Sequence, residues 1–365
     1  MLHSSKIYVA GHAGLVGSAL LKALYSKGYH NIVTCSFYDL DLRSQSAVEQ
    51  FFENEKPEYV FLAAAKVGGI LANETYKAEF LYDNLMIATN VIHAAYCSGV
   101  KKLINLGSSC IYPKYAPQPL KEEYLLSGPL EPTNEPYAVA KIAAIKLCRY
   151  YHEQYGADFF SVMPTNLYGP GDNFNLETSH VVPALIRKFH LAKLLSMSKM
   201  AEVERDLLMY PVGFQVQAAT WVDLLGHLGI TQESVTLWGS GTPYREFLYV
   251  DDLAQALIFL MHNHSYQDVG ELLNVGAGVD VRISDLALMI KKIVGFKGAI
   301  HWDATKADGT PRKLLDVRLI NKLGWQARVS LDEGLMASYA AYKNPTNVVH
   351  DIAVNEFQIK REGKL

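Results

Sequence analysis

The segment Ile7-Tyr8-Val9-Ala10 and the loop Gly11-His12-Ala13-Gly14-Leu15-Val16-Gly17 constrain the fold more than any other stretch of this chain. A short apolar run ends in Gly-x-x-Gly-x-x-Gly and passes into a helical pattern with Leu20, Leu21 and Leu24, closing near Gly28. Glycine permits the tight turn and lets the backbone approach a pyrophosphate, and Gly17, with no Cβ, lets the helix lie close on the strand. The helix N-terminus adds free N–H groups and the positive end of a dipole. The alternation then repeats. Residues 31–35 read as a second strand, 44–55 as a helix with Val48, Phe51 and Phe52 on one side, and Tyr59–Leu62 as a third strand ending in Ala63-Ala64-Ala65. A long helix over 79–98, a strand over Lys102–Leu106, a helix over 136–155 and a strand over 159–163 follow. This spacing predicts an α/β fold: a Rossmann-type, doubly wound parallel sheet with helices on both faces and right-handed crossovers.

The rhythm changes after about residue 180. Residues 180–199 look helical, and 200–231 look irregular, with apolar patches at 207–210 and 221–222. A strand over 235–238, a strand-like 247–250 leading into a helix from Asp251 or Asp252, a strand over Leu272–Val275 and a helix from a Ser284 cap to Val294 complete the pattern. The expected organisation is a dinucleotide-binding domain over 1–179, with returning segments around 235–283. A smaller mixed α/β substrate lobe over 180–234 and 284–343 and a polar tail over 344–365 complete it. A net charge of -3 implies no basic surface and argues against nucleic acid as a partner. The four cysteines (Cys35, Cys97, Cys110, Cys148) have no paired spacing, so no metal is expected. The chain has neither a signal-peptide-like apolar core before the first strand nor an apolar run near ~20 residues. No membrane partner is therefore expected, and the cytoplasm is the expected location.

Two segments carry chemistry. In Tyr137-Ala138-Val139-Ala140-Lys141 a phenol and an amine four residues apart share one helix face, where an ammonium should lower the tyrosine pKa and fit it for proton transfer. Leu106-Gly107-Ser108-Ser109-Cys110-Ile111-Tyr112-Pro113 ends a sheet strand, at the carboxyl edge where such sheets bind ligands. Ser108 and Tyr137 together could clamp a developing oxyanion, with Lys141 on the ribose hydroxyls. Cofactor contacts are expected from Gly11, Gly14, Leu15, Val16, Gly17, Ala63, Lys141, Pro164 and His180. Asp41, like Asp39, could contact the adenosine or simply serve a turn.

These segments, with 63–70, 107–114, 130–137, 163–170, 238–243, 245–248 and 308–316, closely resemble the GDP-L-fucose synthases. Those are extended short-chain dehydrogenase/reductases acting on GDP-4-keto-6-deoxymannose. The resemblance implies that Ser108, Tyr137 and Lys141 are catalytic and that Cys110 and His180 form the acid/base pair for 3,5-epimerisation ahead of 4-keto reduction. It places substrate contacts on Asn166, Lys188, Trp238, Arg245, Asp308 and Lys313, and a homodimer interface on the long helices near 79–98 and 136–155. Of the neighbouring Arg187 and Lys188, one is expected to face the diphosphate and the other solvent. Trp238 fits either a nucleotide wall or core packing. NADP(H) is the implied cofactor. NAD(H) stays open, because Ala13 and Phe37 stand where NADPH-specific members carry arginines. The stretch between about 191 and 235 is longer than the family pattern and joins His180 and Lys188 to Trp238. It fits a surface elaboration or an oligomer contact, or a related GDP-4-keto-6-deoxy sugar such as a heptose, or C4 reduction without full epimerisation. A nucleotide-sugar 4-epimerase or dehydratase, or a non-catalytic dinucleotide sensor, are the rival classes. Retention of Tyr137 and Lys141 speaks against the sensor.

Overall fold

The computed structural model describes residues 1–210, 212, 218, 220–306 and 308–344, the side chains of Ile70 and Leu71 excepted. Among them six parallel strands form the main sheet, in the order Ile32–Val33, Ile7–Ala10, Tyr59–Leu62, Lys102–Leu106, Phe159–Pro164, Leu272–Val275. The strand order reverses between Ile7–Ala10 and Tyr59–Leu62, and a crevice for ligands opens at such a switch point. The register pairs Ala10 with Leu62, Leu62 with Asn105, Leu106 with Val162 and Pro164 with Val275. Gly11, Ala63, Gly107 and Thr165 therefore leave the sheet along one edge.

Alternating side chains along each strand point to opposite faces. Ile7, Val9, Phe61, Ile104, Phe160 and Val162 pack with helices Leu15–Ser26 and Val250–Asn263. Tyr8, Val60, Leu62, Leu103 and Phe159 pack on the other face with Val48, Phe52, Val91, Ile92 and Ala144. Each fully buried apolar side chain contributes roughly 1.5–3 kcal/mol, so this double-sided burial holds the sheet rigid under its loops. The second strand is shorter than expected, spanning only Ile32–Val33.

Among the described residues, strand Tyr244–Tyr249 lies between Asp280–Arg282 and Arg312–Lys313 and also pairs with Asn166–Tyr168. Strand Ser234–Trp238 runs parallel to Ala299–Asp303 in a separate two-stranded sheet. Of the segments around 235–283, the strand Leu272–Val275 thus joins the main sheet and helix Val250–Asn263 covers it. The stretch expected to be irregular holds helices Met200–Met209 and Trp221–His227. The first buries Val203, Asp206 and Leu207 on one face, and the hydroxyl of Thr220 caps the second by accepting from Asp223 N at 3.1 Å. Ser284 does not cap its helix: the helix starts at Ile283 with Arg282 as N-cap, and Ser284 N donates to Gly241 O at 2.9 Å. Helix Leu331–Lys343 closes the described chain at Asn344, and the rest of the expected tail lies outside the described residues.

Candidate active site

The nucleotide loop follows its sequence logic. Gly11 has φ +81°, and a Cβ there would sit 2.6 Å from Ala64 N. A Cβ on Gly17 would sit 2.1 Å from Gly11 O. Helix Leu15–Ser26 begins at Gly14 with no side-chain cap, which leaves its first amides for an anion. The geometry fits a dinucleotide diphosphate. Leu15 and Val16 form the first turn of that helix, and Ala63 follows the third strand. Pro164 ends its own strand beside Val275.

Gly107 lets the fourth strand turn under Met163, whose Cε would lie 2.0 Å from an added Cβ. Ser108 then caps a short 3-10 turn, Ser109–Ile111, its Oγ accepting from Cys110 N at 3.4 Å. Helix Glu135–Tyr155 is entered through a turn fixed by Glu131. One oxygen of Glu131 accepts from Thr133 N (3.1 Å), Asn134 N (3.1 Å) and Asn134 Nδ2 (3.0 Å), and from the Thr133 hydroxyl (2.5 Å). Pro136 stands in the first turn, and Gly156 closes the helix at φ 72°. Glu131 lies inside the segment 130–137 but was given no role from sequence; its signal is an acid two and three residues ahead of Thr133 and Asn134.

Tyr137 and Lys141 share a face, with Nζ 5.7 Å from the ring centroid. The expected electrostatics are corrected. Burial, then Cys110, pushes the Tyr137 phenol far above its usual range. Burial lowers Lys141 to about 8, with Cys110 pulling it back up. Desolvation sets the direction of both shifts, and the ammonium donates a hydrogen bond to Leu106 O at 2.7 Å. Cys110 is 8% exposed. Burial raises its thiol pKa, opposed first by Lys313, then by Ser108 and Lys141. His180 is the N-cap residue of helix Val181–Ser196, without a cap hydrogen bond from its ring. Desolvation lowers its pKa, although the residue as a whole is exposed.

The expected substrate residues lie on the smaller sheets and the helix after His180. Lys313 stands opposite Arg245 in parallel register. Burial lowers both pKa values; Cys110 opposes this at Lys313, and Asp308 opposes it at Arg245. Asp308 grips Ser240 through N at 2.9 Å and Oγ at 2.6 Å. Asn166 Nδ2 donates to Glu246 O at 2.8 Å. Lys188, lowered by burial to about 8, reaches only the carbonyls of Thr236 (3.2 Å) and Leu228 (3.4 Å). Among the described residues none of Lys188, Arg245 and Lys313 ion-pairs with a carboxylate, which leaves three partly desolvated cations for an anionic ligand. Trp238 is 55% exposed with Lys306 Nζ 5.4 Å from its ring, which rules out core packing. Arg187 is fully buried rather than solvent-facing. It donates to Asp206 Oδ1 at 2.9 Å, to Phe174 O at 2.9 Å and to Tyr210 O.

Asp41 is engaged by a neighbour the sequence reasoning missed. Arg43 forks onto it with Nε at 2.9 Å and Nη2 at 2.8 Å, and its guanidinium lies 5.2 Å from the Phe37 ring centroid. That side-chain hydrogen bond holds Asp41 below the usual carboxylate range. A second missed group is Asp172. Burial raises it to about 7, and its Oδ2 has no partner among the described residues. No cluster of His, Cys, Asp or Glu among the described residues could hold a metal, and no helix there is long and apolar enough to cross a membrane.

A parallel sheet with a glycine cradle at its switch point, and a serine, tyrosine and lysine at the same edge, defines a dinucleotide-dependent oxidoreductase or epimerase. The chain belongs to the NAD dependent epimerase/dehydratase family, whose profile matches residues 7–210 and 223–276 and omits the middle of the long stretch. Among curated relatives it is 52% identical to GDP-L-fucose synthase 1 of Arabidopsis thaliana over 345 residues, covering 94% of this chain and 95% of that protein. It is 48% identical to GDP-L-fucose synthase of Escherichia coli (strain K12) over 344 residues, covering 93% and 96%. Among solved structures it superposes on a GDP-6-OMe-4-keto-L-xylo-heptose reductase from Campylobacter jejuni with TM-score 0.90 and 41% identity, covering 95% of this chain and 99% of that one. A GDP-D-glycero-L-gluco-heptose synthase from the same organism, solved in the presence of NADPH, gives TM-score 0.87 and 41% identity, with 94% and 99% covered.

Proposed function

We propose that this protein converts GDP-4-keto-6-deoxy-D-mannose to GDP-L-fucose, by epimerisation at C3 and C5 followed by reduction at C4. The observation that carries this reading is the grouping of Ser108, Cys110, Tyr137 and Lys141 at one sheet edge, with Arg245 and Lys313, neither ion-paired among the described residues, beside them. Identity near 50% to two fucose synthases supports the sugar.

The C4 ketone acidifies the protons on C3 and C5. Cys110 and His180 exchange protons with those carbons, and the hydroxyls of Ser108 and Tyr137 stabilise the enolate oxygen. Bound reduced nicotinamide supplies the hydride for C4. Tyr137, whose phenol burial keeps protonated, gives the proton to the resulting oxyanion. Lys141, held by Leu106 O, orients the ribose side of the cofactor. Arg245, Lys313 and Lys188 bind the GDP diphosphate, Trp238 walls its base, and Asn166 and Asp308 line the sugar and ribose. The domain dividing near residue 179 carries the cofactor, and the smaller lobe carries the GDP-sugar.

NADP(H) is the proposed cofactor, as in the NADPH-containing neighbour. Arg43, stacked near Phe37, takes the place of the missing arginines as partner for the 2′-phosphate. The enzyme works in the cytoplasm as a homodimer through helices Lys77–Cys97 and Glu135–Tyr155, which pack together and expose Tyr82 and Tyr150. A monomer by light scattering would remove that interface.

The heptose reading is second, favoured by the TM-score of 0.90 to a heptose reductase. Incubation with GDP-4-keto-6-deoxy-D-mannose and NADPH or NADH in parallel tests the assignment. GDP-L-fucose by NMR, faster with NADPH, is expected. Reduction at C4 with C3 and C5 unchanged would overturn it.

A further inference from the structure

The two members of the proposed acid/base pair differ in their access to water. The His180 side chain is exposed, while Cys110 is 8% exposed. Each inversion unbalances them. One group takes a proton from carbon, its electron pair passing to the enolate oxygen. The other returns a proton to the opposite face. At the end one member has gained a proton and the other has lost one. Before the pair acts again, at the second carbon or on the next substrate, both must be reset. His180 exchanges directly with solvent. Cys110 needs a route.

A small cavity beside Cys110 supplies one. Its volume is about 10 Å³, and its wall includes Cys110, Lys114, Glu131, Thr310 and Lys313. That volume is at the lower bound for holding one water molecule, which also needs polar partners. The wall provides them. Thr310 is 5% exposed, and its hydroxyl has no partner among the described residues. A buried hydroxyl left unpaired costs about 1–3 kcal/mol, so a water bonded to it is strongly favoured. Glu131 presents a carboxylate whose Oε2 is committed to the turn before Tyr137. Its Oε1 faces Lys114 Nζ at 4.0 Å, and both side chains reach the surface.

We propose that Thr310 and Glu131 hold a water against Cys110 and that this water carries the protons which reset the thiol between epimerisations. When Cys110 has gained a proton, the S–H bond breaks toward the water oxygen. The water passes a proton to Glu131 Oε1, which releases it to solvent. When Cys110 has lost one, the same steps run in reverse. No electrons change hands and no further reactant is needed. Thr310 is a positioning residue here and Glu131 a proton carrier, and the inference rests on the epimerase reading above.

The test runs Thr310→Val, Thr310→Ser and Glu131→Gln with GDP-4-keto-6-deoxy-D-mannose and NADPH in deuterium oxide, scoring label at C3 and C5 by NMR. The expected result for Thr310→Val is a second epimerisation slowed about tenfold relative to the first, releasing singly labelled product. Thr310→Ser restores double labelling, because its hydroxyl remains. Glu131→Gln reproduces the defect, since an amide keeps an acceptor for the turn but takes up no proton. A purely structural loss would slow both labels and hydride transfer together. Wild-type proportions of single and double label in both Thr310→Val and Glu131→Gln overturn the relay. Unchanged labelling in Cys110→Ala overturns the epimerase role of Cys110 itself, a separate failure.

Discussion

Replacing Lys141 with methionine should abolish reduction and yet make the protein harder to melt at neutral pH. Lys141 is 7% exposed, and burial brings its pKa from 10.5 to about 8. At pH 7 it is charged in both folded and unfolded chains. The charge is disfavoured in the folded state by about 3 kcal/mol, at about 1.4 kcal/mol per pKa unit. The substitution also removes the hydrogen bond to Leu106 O, whose buried carbonyl then loses its donor at a cost of about 1–3 kcal/mol. The net gain is at most about 2 kcal/mol. For a chain of 365 residues that is a rise in Tm of no more than about 4 °C. The sign with pH follows from proton counts. Between about pH 8 and 10.5 the unfolded chain holds a proton that the folded chain has released, so wild-type stability rises across that window. The advantage of Lys141→Met should therefore shrink above pH 8 and reverse by about pH 10. Thermal melts of both proteins from pH 6.5 to 10, without cofactor, measure this. A lower Tm for the variant at pH 7, or a difference that does not change with pH, would refute the account of Lys141 as a desolvated cation.

Tyr137→Phe should lower kcat for reduction by about 10²–10⁴-fold while dinucleotide affinity stays within about twofold, measured by stopped-flow and fluorescence titration; a smaller loss would assign the proton to another donor. Lys313→Met and Arg245→Met should each weaken GDP binding about tenfold or more by calorimetry and flatten its salt dependence, because each removes an unpaired cation. Arg187→Met should cost about 3–5 kcal/mol, since among the described residues it leaves the buried carboxylate of Asp206 with the Tyr342 hydroxyl alone; a loss under about 1 kcal/mol in denaturant melts would contradict that network. Arg43→Ala should raise KM for NADPH about tenfold with little change for NADH, and equal effects on both would remove Arg43 from the 2′-phosphate.

What could be read ahead of the structure was local or periodic. The glycine cradle, the strand ends at Leu62 and Leu106, and the Tyr137–Lys141 helix each announce themselves within a dozen residues. The smaller lobe did not. Its strand Ser234–Trp238 finds its partner at Ala299–Asp303, and Tyr244–Arg245 finds Arg312–Lys313. Pairings over such separations carry no adjacent signal. Helix Met200–Met209 looked irregular because its burying face is only Val203, Asp206 and Leu207, one of them an acid that makes sense only once Arg187 is beside it. The pKa of Tyr137 was misjudged for a related reason. Spacing along a helix reports proximity to Lys141 but not the depth at which both groups are buried.

Arg187 and Lys188 are consecutive, yet one is bound to helix Met200–Met209 through Asp206 and the other reaches the carbonyls of Leu228 and Thr236. A change in how Met200–Met209 seats on Arg187 through Asp206 would shift Val181–Ser196 and alter the reach of Lys188 without touching a pocket residue. Divergence toward new sugars in chains built this way can then begin on the outer surface, where substitutions are tolerated, and arrive at the active site as a change of leverage.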